Sequence, residues 1–434
     1  MVCECGILFV VYMKIRIMKS LYLIVCTSLI WVAFLCAGME AHAQDAYFTV
    51  NGTVKDRLTR KPLEYASISL IGYNIGTVTN TDGDFTLKIP TTISVDFVEC
   101  SHIGYQSFRI PVSGANLADV EVLLTSFSTT LSDVIVRGWD ARYLIQEAVE
   151  KIPKNYCASA TQSTGFYRET VQKRRNYINI TEAVIDIYKT AYTENTTRDR
   201  VQILKGRKLL SQRASDTLAV KLLGGPHLSI YVDIVKNPDI LLDKEALPDY
   251  NFKMEDMTQI SGRDQYVISF QPQSIKPYPL YAGTFYIDKE SLAFTRAEFR
   301  LDMRDRNKAT EMILKKKPIG LRFRPEELSY VISYQERGGV NYLSYIRNQI
   351  SFRCDWRRRF FSTTYDIVSE MVVTDIQMQN ITEISRREAF RPSEILSDKV
   401  MDFYDEDFWG AYNIIEPTES LEIAVAKLKK QTRN

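Results

Sequence analysis

The sequence predicts a mainly β protein, with an N-terminal β-sandwich followed by a larger curved antiparallel β domain carrying a few helices. Three observations predict it. Short apolar-alternating runs separated by turn residues recur between residues 47 and 124. Longer runs of the same kind, joined as hairpins, recur from Thr164 to Asp375. Tyr at 25 and Phe at 20 are generous, and aromatics favour pleated, half-buried surfaces. The 434 residues suggest two or three domains, and 45% hydrophobic against 25% charged residues argues against wholesale disorder.

The chain opens with an export signature. Lys14, Arg16 and Lys19 form a basic region, the run from Leu21 to Ala37 is almost wholly apolar, and Ala41-His42-Ala43 is an A-x-A cleavage site. The apolar run has 17 residues, the lower limit for a membrane span, and the small-residue exit favours a cleaved signal over residues 1–43. Met18 is an alternative start. A lipid anchor needs a small residue before the modified Cys, whereas Leu35 precedes Cys36 and Val25 precedes Cys26. The predicted location is the periplasm or the outer-membrane surface, with no membrane-spanning helix after cleavage. Cys100, Cys157 and Cys354 then remain, too few and too scattered for a disulfide framework. Formal net charge is +2, and residues 1–43 contribute +1 of it. A body so near neutrality gives no reason to expect nucleic acid as a partner.

Residues 44–125 read as the sandwich. Phe48 to Val54 is a strand, and Leu63 to Ile71 alternates, with Ala66, Ile68 and Leu70 on one face. Ile75 to Thr79, Phe85 to Ile89, Val95 to Cys100, Gln106 to Ile110 and Val120 to Leu124 complete about seven short strands, the spacing of an antiparallel, Ig-like sandwich. Asp82-Gly83 between two such runs is a hairpin turn, because Gly tolerates positive φ. Asn80, Asp82 and Asp84 also suggest calcium ligands, but the twelve-residue loop with its distal Glu is absent.

The stretch GTVKDRLTRKPLEYASISLIGYNIGTVTNTDGDFTLKIP, followed by SHIGYQ, resembles the carboxypeptidase-regulatory-like domain. Gly52, Val54, Pro62, Leu63, Ala66, Ile68, Thr79, Asp82, Gly83, Phe85, Ile103, Gly104 and Tyr105 carry the resemblance. It implies a transthyretin-like sandwich with an accessory, non-catalytic role. Residues 126–139 read as a linker, and Leu131 to Gly138 resembles the segment that follows this sandwich in TonB-dependent receptors.

Residues 140–390 read as the larger domain. Asp140 to Ile152 is an amphipathic helix, with Tyr143, Leu144, Ala148 and Ile152 at helical spacing, Asp140 as N-cap and Pro153 as the stop. Strands are expected on either side of Arg174-Arg175, at Tyr266 to Phe270, and around the turns at Asp288 to Ser291 and Glu336 to Gly339, with one more from Phe361 to Thr374. Residues 201–248 read as an insertion of helices and loops, and residues 391–434 as a polar, partly helical tail. The hairpin at 283–300 is similar to those of LolA/LppX-like carrier folds, and GFYRE at Gly165 to Glu169 is similar to envelope proteins that share the sandwich. The carrier resemblance implies a half-barrel wrapped on helices around an apolar pocket. A transmembrane barrel is disfavoured, since neither face of Asn341 to Arg353 is a clean lipid face.

No catalytic motif emerges. His42 leaves with the signal, and His102 and His227 have no partner at metal-ligand spacing. There is no GxSxG, Walker loop or GxGxxG, so no cofactor is expected. Asp405-Glu406-Asp407 beside Trp409 suggests a glycosidase pair or sugar-stacking site, against the plainer reading of a solvated tail. Lys315 to Lys317 and Arg353, Arg357, Arg358 and Arg359 beside Trp356 suggest either phosphate contacts or Arg stems covering aromatics. The expected function is that of a non-catalytic envelope accessory or binding protein, with an apolar ligand such as a lipid, or an envelope protein, as partner. The alternative is a secreted hydrolase with a dispersed carboxylate site. Tyr286, Phe294, Ile346 and Phe352 are expected on sheet faces that contact the core or an apolar pocket. N-terminal sequencing of the mature protein is expected to begin at Gln44, and a retained, membrane-embedded N-terminus would contradict this.

Overall fold

The computed structural model describes residues 47–127, 140–213, 216, 221–222, 224–356, 362–402 and 408–432. The export segment, the linker resemblance at Leu131 to Gly138, Arg357 to Arg359 and Asp405 to Asp407 lie outside the described residues. No helix among the described residues is long and apolar enough to cross a membrane.

Seven strands build the sandwich: β1 (Tyr47–Asp56), β2 (Ser67–Leu70), β3 (Gly76–Val78), β4 (Asp84–Pro90), β5 (Phe97–Ser101), β6 (Phe108–Pro111) and β7 (Leu117–Leu124). They form two sheets, ordered β4-β1-β7 and β3-β2-β5-β6. Phe48, Val50 and Val54 of β1 and Phe85, Leu87 and Ile89 of β4 alternate inward and meet Ile68, Val98 and Cys100 in one core. One pairing differs from the antiparallel expectation, because β7 runs parallel to β1. The chain enters β7 from the opposite sheet, a crossover that sets it beside β1 in the same direction. The register shifts between Val50 and Gly52, where a Cβ on Gly52 would lie 2.0 Å from the Val120 carbonyl oxygen.

The residues of the motif each do local work. Thr79 Oγ1 donates to Leu63 O at 2.6 Å and accepts from Ala66 N at 2.8 Å. Tyr105 OH donates to Asp56 Oδ2 at 2.9 Å, and Asp56 also accepts from the Leu58 and Thr59 amides. Asp82-Gly83 is a turn: Asn80 Oδ1 accepts from the Asp82 and Asp84 amides, and Gly83 has φ +83°.

The larger domain opens with α1 (Ala141–Glu150) and the single turn α2 (Ile152–Asn155). Asp140 caps α1 by accepting from Arg142 N. The first helix stops at Glu150, and Pro153 sits in the first turn of α2, where its missing N–H is no loss. Leu144, Ile145 and Ala148 face the core, while Tyr143, expected on that face, is exposed.

The strands that follow are β8 (Thr161–Lys173), β9 (Asn176–Lys189), β10 (Arg200–Leu210), β11 (Lys221–Leu222), β12 (Tyr250–Ile260), β13 (Arg263–Pro272), β14 (Tyr281–Asp288), β15 (Phe294–Leu301), β16 (Leu314–Lys316), β17 (Leu321–Arg337), β18 (Val340–Trp356), β19 (Thr363–Gln377) and β20 (Met401–Asp402). Three further helices are α3 (Pro226–Tyr231), α4 (Arg306–Ile313) and α5 (Glu419–Thr432). One open, curved sheet runs β12-β13-β14-β15-β17-β18-β19-β8-β9-β10-β20, and β11 pairs with β16 separately. Ten of the eleven strands pair antiparallel, and the two-residue β20 lies parallel to β10. The hairpins turn at Arg174-Arg175 and Gly338-Gly339, all four residues with positive φ. Residues 200–210 form a strand where helices and loops were expected. Its buried positions are irregular because the register shifts between Ile203 and Lys205, which hides the alternation.

The two faces of this sheet are covered differently. On the outer face, Phe166, Val184, Tyr345 and Val372 pack against Val78 and Tyr65 of the sandwich, with Trp409 and Ile415 of the C-terminal segment between them. Residues 408–417, expected in a polar tail, therefore act as filler between sandwich and sheet. Asn413 exchanges two hydrogen bonds with the Lys88 backbone, and Thr77 and Asn80 side chains donate to the Ile414 and Pro417 carbonyls. Trp409 is 4% exposed, which removes it as a sugar-stacking surface. Arg168 donates to Glu182 at 2.7 Å and to the Ile415 carbonyl at 2.7 Å, while Arg207 donates to the second Glu182 oxygen. Burial alone would raise the Glu182 carboxyl, but the two guanidiniums override it and hold it below the usual range. The C-terminal helix α5 packs Leu421 and Leu428 on Ile180 and Leu209, and Asp82 of the turn accepts from the Glu419 amide at its N-terminus.

Substituting Gly83→Val places a β-branched side chain at positive φ, with the Val54 carbonyl oxygen 2.6 Å from the new Cβ. It is expected to destabilise the protein by on the order of 1–3 kcal/mol. Urea unfolding checks this, and an unchanged midpoint would contradict it.

Candidate functional site

The inner face of the sheet is apolar. It is covered by α1, α2, α4 and the segment 224–249, which together bury Leu144, Ile152, Ile230, Ile234, Val235, Leu242 and Ile313 against it. The segment is pinned by a polar hub. Asp233 is fully buried and accepts from Lys189 Nζ, from Tyr334 OH at 2.6 Å and from Tyr192 OH at 3.1 Å. Lys236, also fully buried, donates to Thr190 Oγ1 at 2.8 Å and to the Thr190 and Ala191 carbonyls. Burial pushes its ammonium below the usual lysine range, against the pull of Asp199. Breaking such a buried pair costs about 3–5 kcal/mol, so the segment is held firmly at one place.

Two cavities lie against this face. The first, about 580 Å³, sits between α3, α4, the 277–281 loop and the sheet. Its sheet-side floor is Phe299, Leu328, Tyr330 and Ile350, and Tyr231, Tyr278 and Met312 line its mouth, each at least 38% exposed. Burial raises the Tyr281 and Tyr330 phenols well above their ordinary range, so both stay protonated donors at any physiological pH. Lys308, at the rim, donates to the Lys276 carbonyl at 2.6 Å. The second cavity, about 490 Å³, lies between β8, β18, β19 and residues 392–398. Ile350 is a wall of both.

Sheet register explains the difference between them. Leu328, Ile350, Ile367 and Val171 are successive cross-strand partners on β17, β18, β19 and β8, an unbroken apolar row along both cavities. The neighbouring row runs Phe299, Tyr330, Asn348, Ser369 and Glu169 from β15 to β8. It starts aromatic in the first cavity and ends polar in the second. Glu169 lies between Tyr167 and Val171 in the alternation of β8, so its carboxylate faces the apolar side. Burial raises it above the usual glutamate range, opposed by a hydrogen bond from Tyr167 OH at 3.2 Å. Asn348 is 5% exposed, and its Oδ1 accepts no hydrogen bond among the described residues.

The residues singled out in the sequence occupy other places. Phe294, Ile346 and Phe352 are fully packed in the inner core, and Tyr286 is half-buried on the opposite side of β14 from Phe285. None of the four lines either cavity. Asp82 and Gly83 form the turn described above. His102 hydrogen-bonds the Ile103 and Glu64 carbonyls, and burial pushes its imidazole down to about 4, helped by Arg296. His227 sits in α3, a different element. Cys100, Cys157 and Cys354 are buried and unbridged. Lys315 donates to the Pro392 carbonyl, Lys317 to the Leu321 carbonyl, and Arg353 pairs with Glu326. The site residues that reading missed, Glu169 and Asn348, left a signal. Each is a polar residue between apolar neighbours on the inward phase of its strand, Tyr167 and Val171 about Glu169 and Ile346 and Ile350 about Asn348.

Residues 50–136 match the CarboxypepD_reg-like domain. That domain is the sandwich. A curated relative, the TonB-dependent receptor SusC of Bacteroides thetaiotaomicron, is 33% identical over 111 residues, which span 26% of this chain and 10% of the receptor. The chain thus spans about a tenth of the length of the curated relative it matches. Over the larger domain the chain is similar to a DUF1329 family protein from Desulfovibrio piger, at 9% identity, covering 56% of this chain and 96% of that one with a TM-score of 0.23. It is also similar to the LolA superfamily protein NE2245 from Nitrosomonas europaea, at 13% identity, 55% and 94% coverage and a TM-score of 0.21.

The raised Glu169 carboxyl has a consequence for stability. Its folded value lies above its unfolded one, so the folded state holds the proton more tightly and loses stability as pH rises through the ordinary glutamate range, about 4.3. Glu169→Gln is therefore expected to raise the melting temperature at pH 7 and to leave it close to wild type near pH 4. Thermal melts across that range check it, and equal melting temperatures at neutral pH would contradict it.

Proposed function

We propose that this is a non-catalytic binding protein of the cell envelope that shelters an apolar chain between the inner face of its large sheet and the overlying α3 and α4. The observation that carries this reading is the first cavity. Its volume of about 580 Å³ falls within the range of small-molecule sites, and its floor is aromatic and aliphatic. An apolar ligand entering it gains roughly 0.8 kcal/mol per buried methylene. The pinned segment above it supplies a preformed wall, which keeps the ordering cost of binding low.

The compartment is proposed on separate grounds. The apolar run Leu21 to Ala37 followed by Ala41-His42-Ala43 supports export, and the CarboxypepD_reg-like domain supports an accessory role alongside outer-membrane machinery. In this reading the sandwich is a brace that closes the outer face of the sheet, and the ligand site lies on the other face.

The test is direct binding. A neutral fluorescent probe with a long alkyl chain is expected to bind the full mature chain with saturable enhancement of emission. Ile350→Trp, which fills the wall common to both cavities, is expected to weaken binding by about tenfold or more. Native mass spectrometry of the protein purified from its envelope is expected to show co-purified lipid. Absence of both probe binding and bound lipid would end the reading.

A further inference from the structure

The second cavity adds chemistry that an acyl chain alone does not use. On a largely apolar inner face, the three adjacent strands β18, β19 and β8 place Asn348, Ser369 and Glu169 side by side, with Thr181 of β9 next in the row. Strands lie about 4.8 Å apart, so the three side chains span about 10 Å. All three line the second cavity. A polar row in an apolar sheet face is costly to keep. An unpaired acceptor out of water loses about 1–3 kcal/mol, and a buried carboxylate loses more. Asn348 Oδ1 is buried with no protein donor, and Glu169 makes no ion pair among the described residues. Asn348 Oδ1 thus has no protein donor and Glu169 has one, the Tyr167 phenol, so a ligand that brings donors to this row can serve both.

The character of that ligand follows from what the row lacks. Asn348 Oδ1 lacks a donor, and Glu169 has room for donors beyond the Tyr167 phenol. Of the other acidic side chains lining the cavity, Asp216 pairs with Lys173 and Glu394 with Lys399, which leaves Asp398 and Glu169 against the single lining cation Lys315. Lys315 is turned to the Pro392 carbonyl, at 2.9 Å. The lining is therefore negative on balance and suits a donor-rich cation. The apolar row through Leu328, Ile350, Ile367 and Val171 continues from this polar end into the first cavity.

Building on the proposed apolar-ligand site, we propose that the second cavity is a headgroup subsite selecting an amphiphile whose polar end is an amine. The ammonium sits at Glu169 and Asn348, and its chain runs over Ile350 to the aromatic floor at Phe299 and Tyr330. From Glu169 to Phe299 the row crosses five strands, about 19 Å, a span suited to an extended alkyl chain. An ammonium in this low-dielectric pocket forms a charge-assisted hydrogen bond with the carboxylate, which an alcohol of the same length cannot match.

Isothermal titration of the mature protein with dodecylamine, dodecanol and dodecanoate, each kept below its solubility or micelle limit, tests the selection. The amine is expected to bind about tenfold or more tighter than the alcohol, and the carboxylate weakest of the three. In Glu169→Gln the ratio of amine to alcohol affinity is expected to fall close to one. Equal binding of the three heads by the wild-type protein, or an amine preference that survives in Glu169→Gln, overturns the headgroup subsite while leaving the apolar site standing. If none of the three binds, both fall together.

Discussion

An open sheet of eleven strands has two broad faces, and each must be kept from water. That requirement organises the whole molecule. In a single-layer sheet every strand presents alternate residues to opposite sides, so neither face can be left bare if both are apolar. Here both carry large residues in their middle strands: Tyr345, Phe166 and Val372 outward, Ile346, Tyr167 and Met371 inward. The outward set is met by a second domain, the inward set by helices and one long pinned segment.

The outer junction is a three-part assembly. The sandwich supplies Val78 and Tyr65, the sheet supplies its aromatic patch, and the C-terminal segment inserts Trp409 and Ile415 between them. Several of its polar groups pair within the junction, while Trp409 Nε1 has no hydrogen-bond partner among the described residues. The Arg168–Glu182–Arg207 cluster places two cations on one carboxylate, so attraction outweighs the desolvation that would otherwise protonate it. The same Arg168 reaches the Ile415 carbonyl and thereby ties the ion cluster to the inserted segment. Sandwich, sheet and C-terminus are one structural unit because each completes the burial of the other two.

The inner face follows the opposite logic. The Asp233 hub secures the covering segment at the β9 and β17 end, and α4 covers part of the rest, but the cover does not reach everywhere. Where it lifts from β15, β17 and β18 the first cavity opens, and where it lifts from β19 and β8 the second does. A protein selected only for stability fills such space or lines it uniformly. Glu169 does neither, since its burial raises its carboxyl and the nearest help is a phenol. A carboxyl held against stability at a cavity wall is what supports the proposed ligand site there.

The strand-and-turn rhythm alone determined the mainly β class, the seven strands of the sandwich, the Asp82-Gly83 turn and the long hairpins around Arg174-Arg175 and Gly338-Gly339. These are local: period-two alternation and positive-φ turns are written in neighbouring residues. What only the tertiary structure decided is everything that depends on pairing between distant strands. Residues 200–210 hid their strand behind a register shift, β7 took a parallel place beside β1, and residues 408–417 became mortar instead of tail. The cavities belong to the same class. Phe294, Ile346 and Phe352 carry the right chemistry for a pocket wall, yet neighbouring side chains pack against them and they are core. Glu169, Ser369 and Asn348 are separated by up to 200 residues of chain, and only the order β18-β19-β8 brings them into one row. Alternation tells which side of a strand a residue faces. Which residue stands beside it is settled by register, and register is set by the packing of the whole sheet.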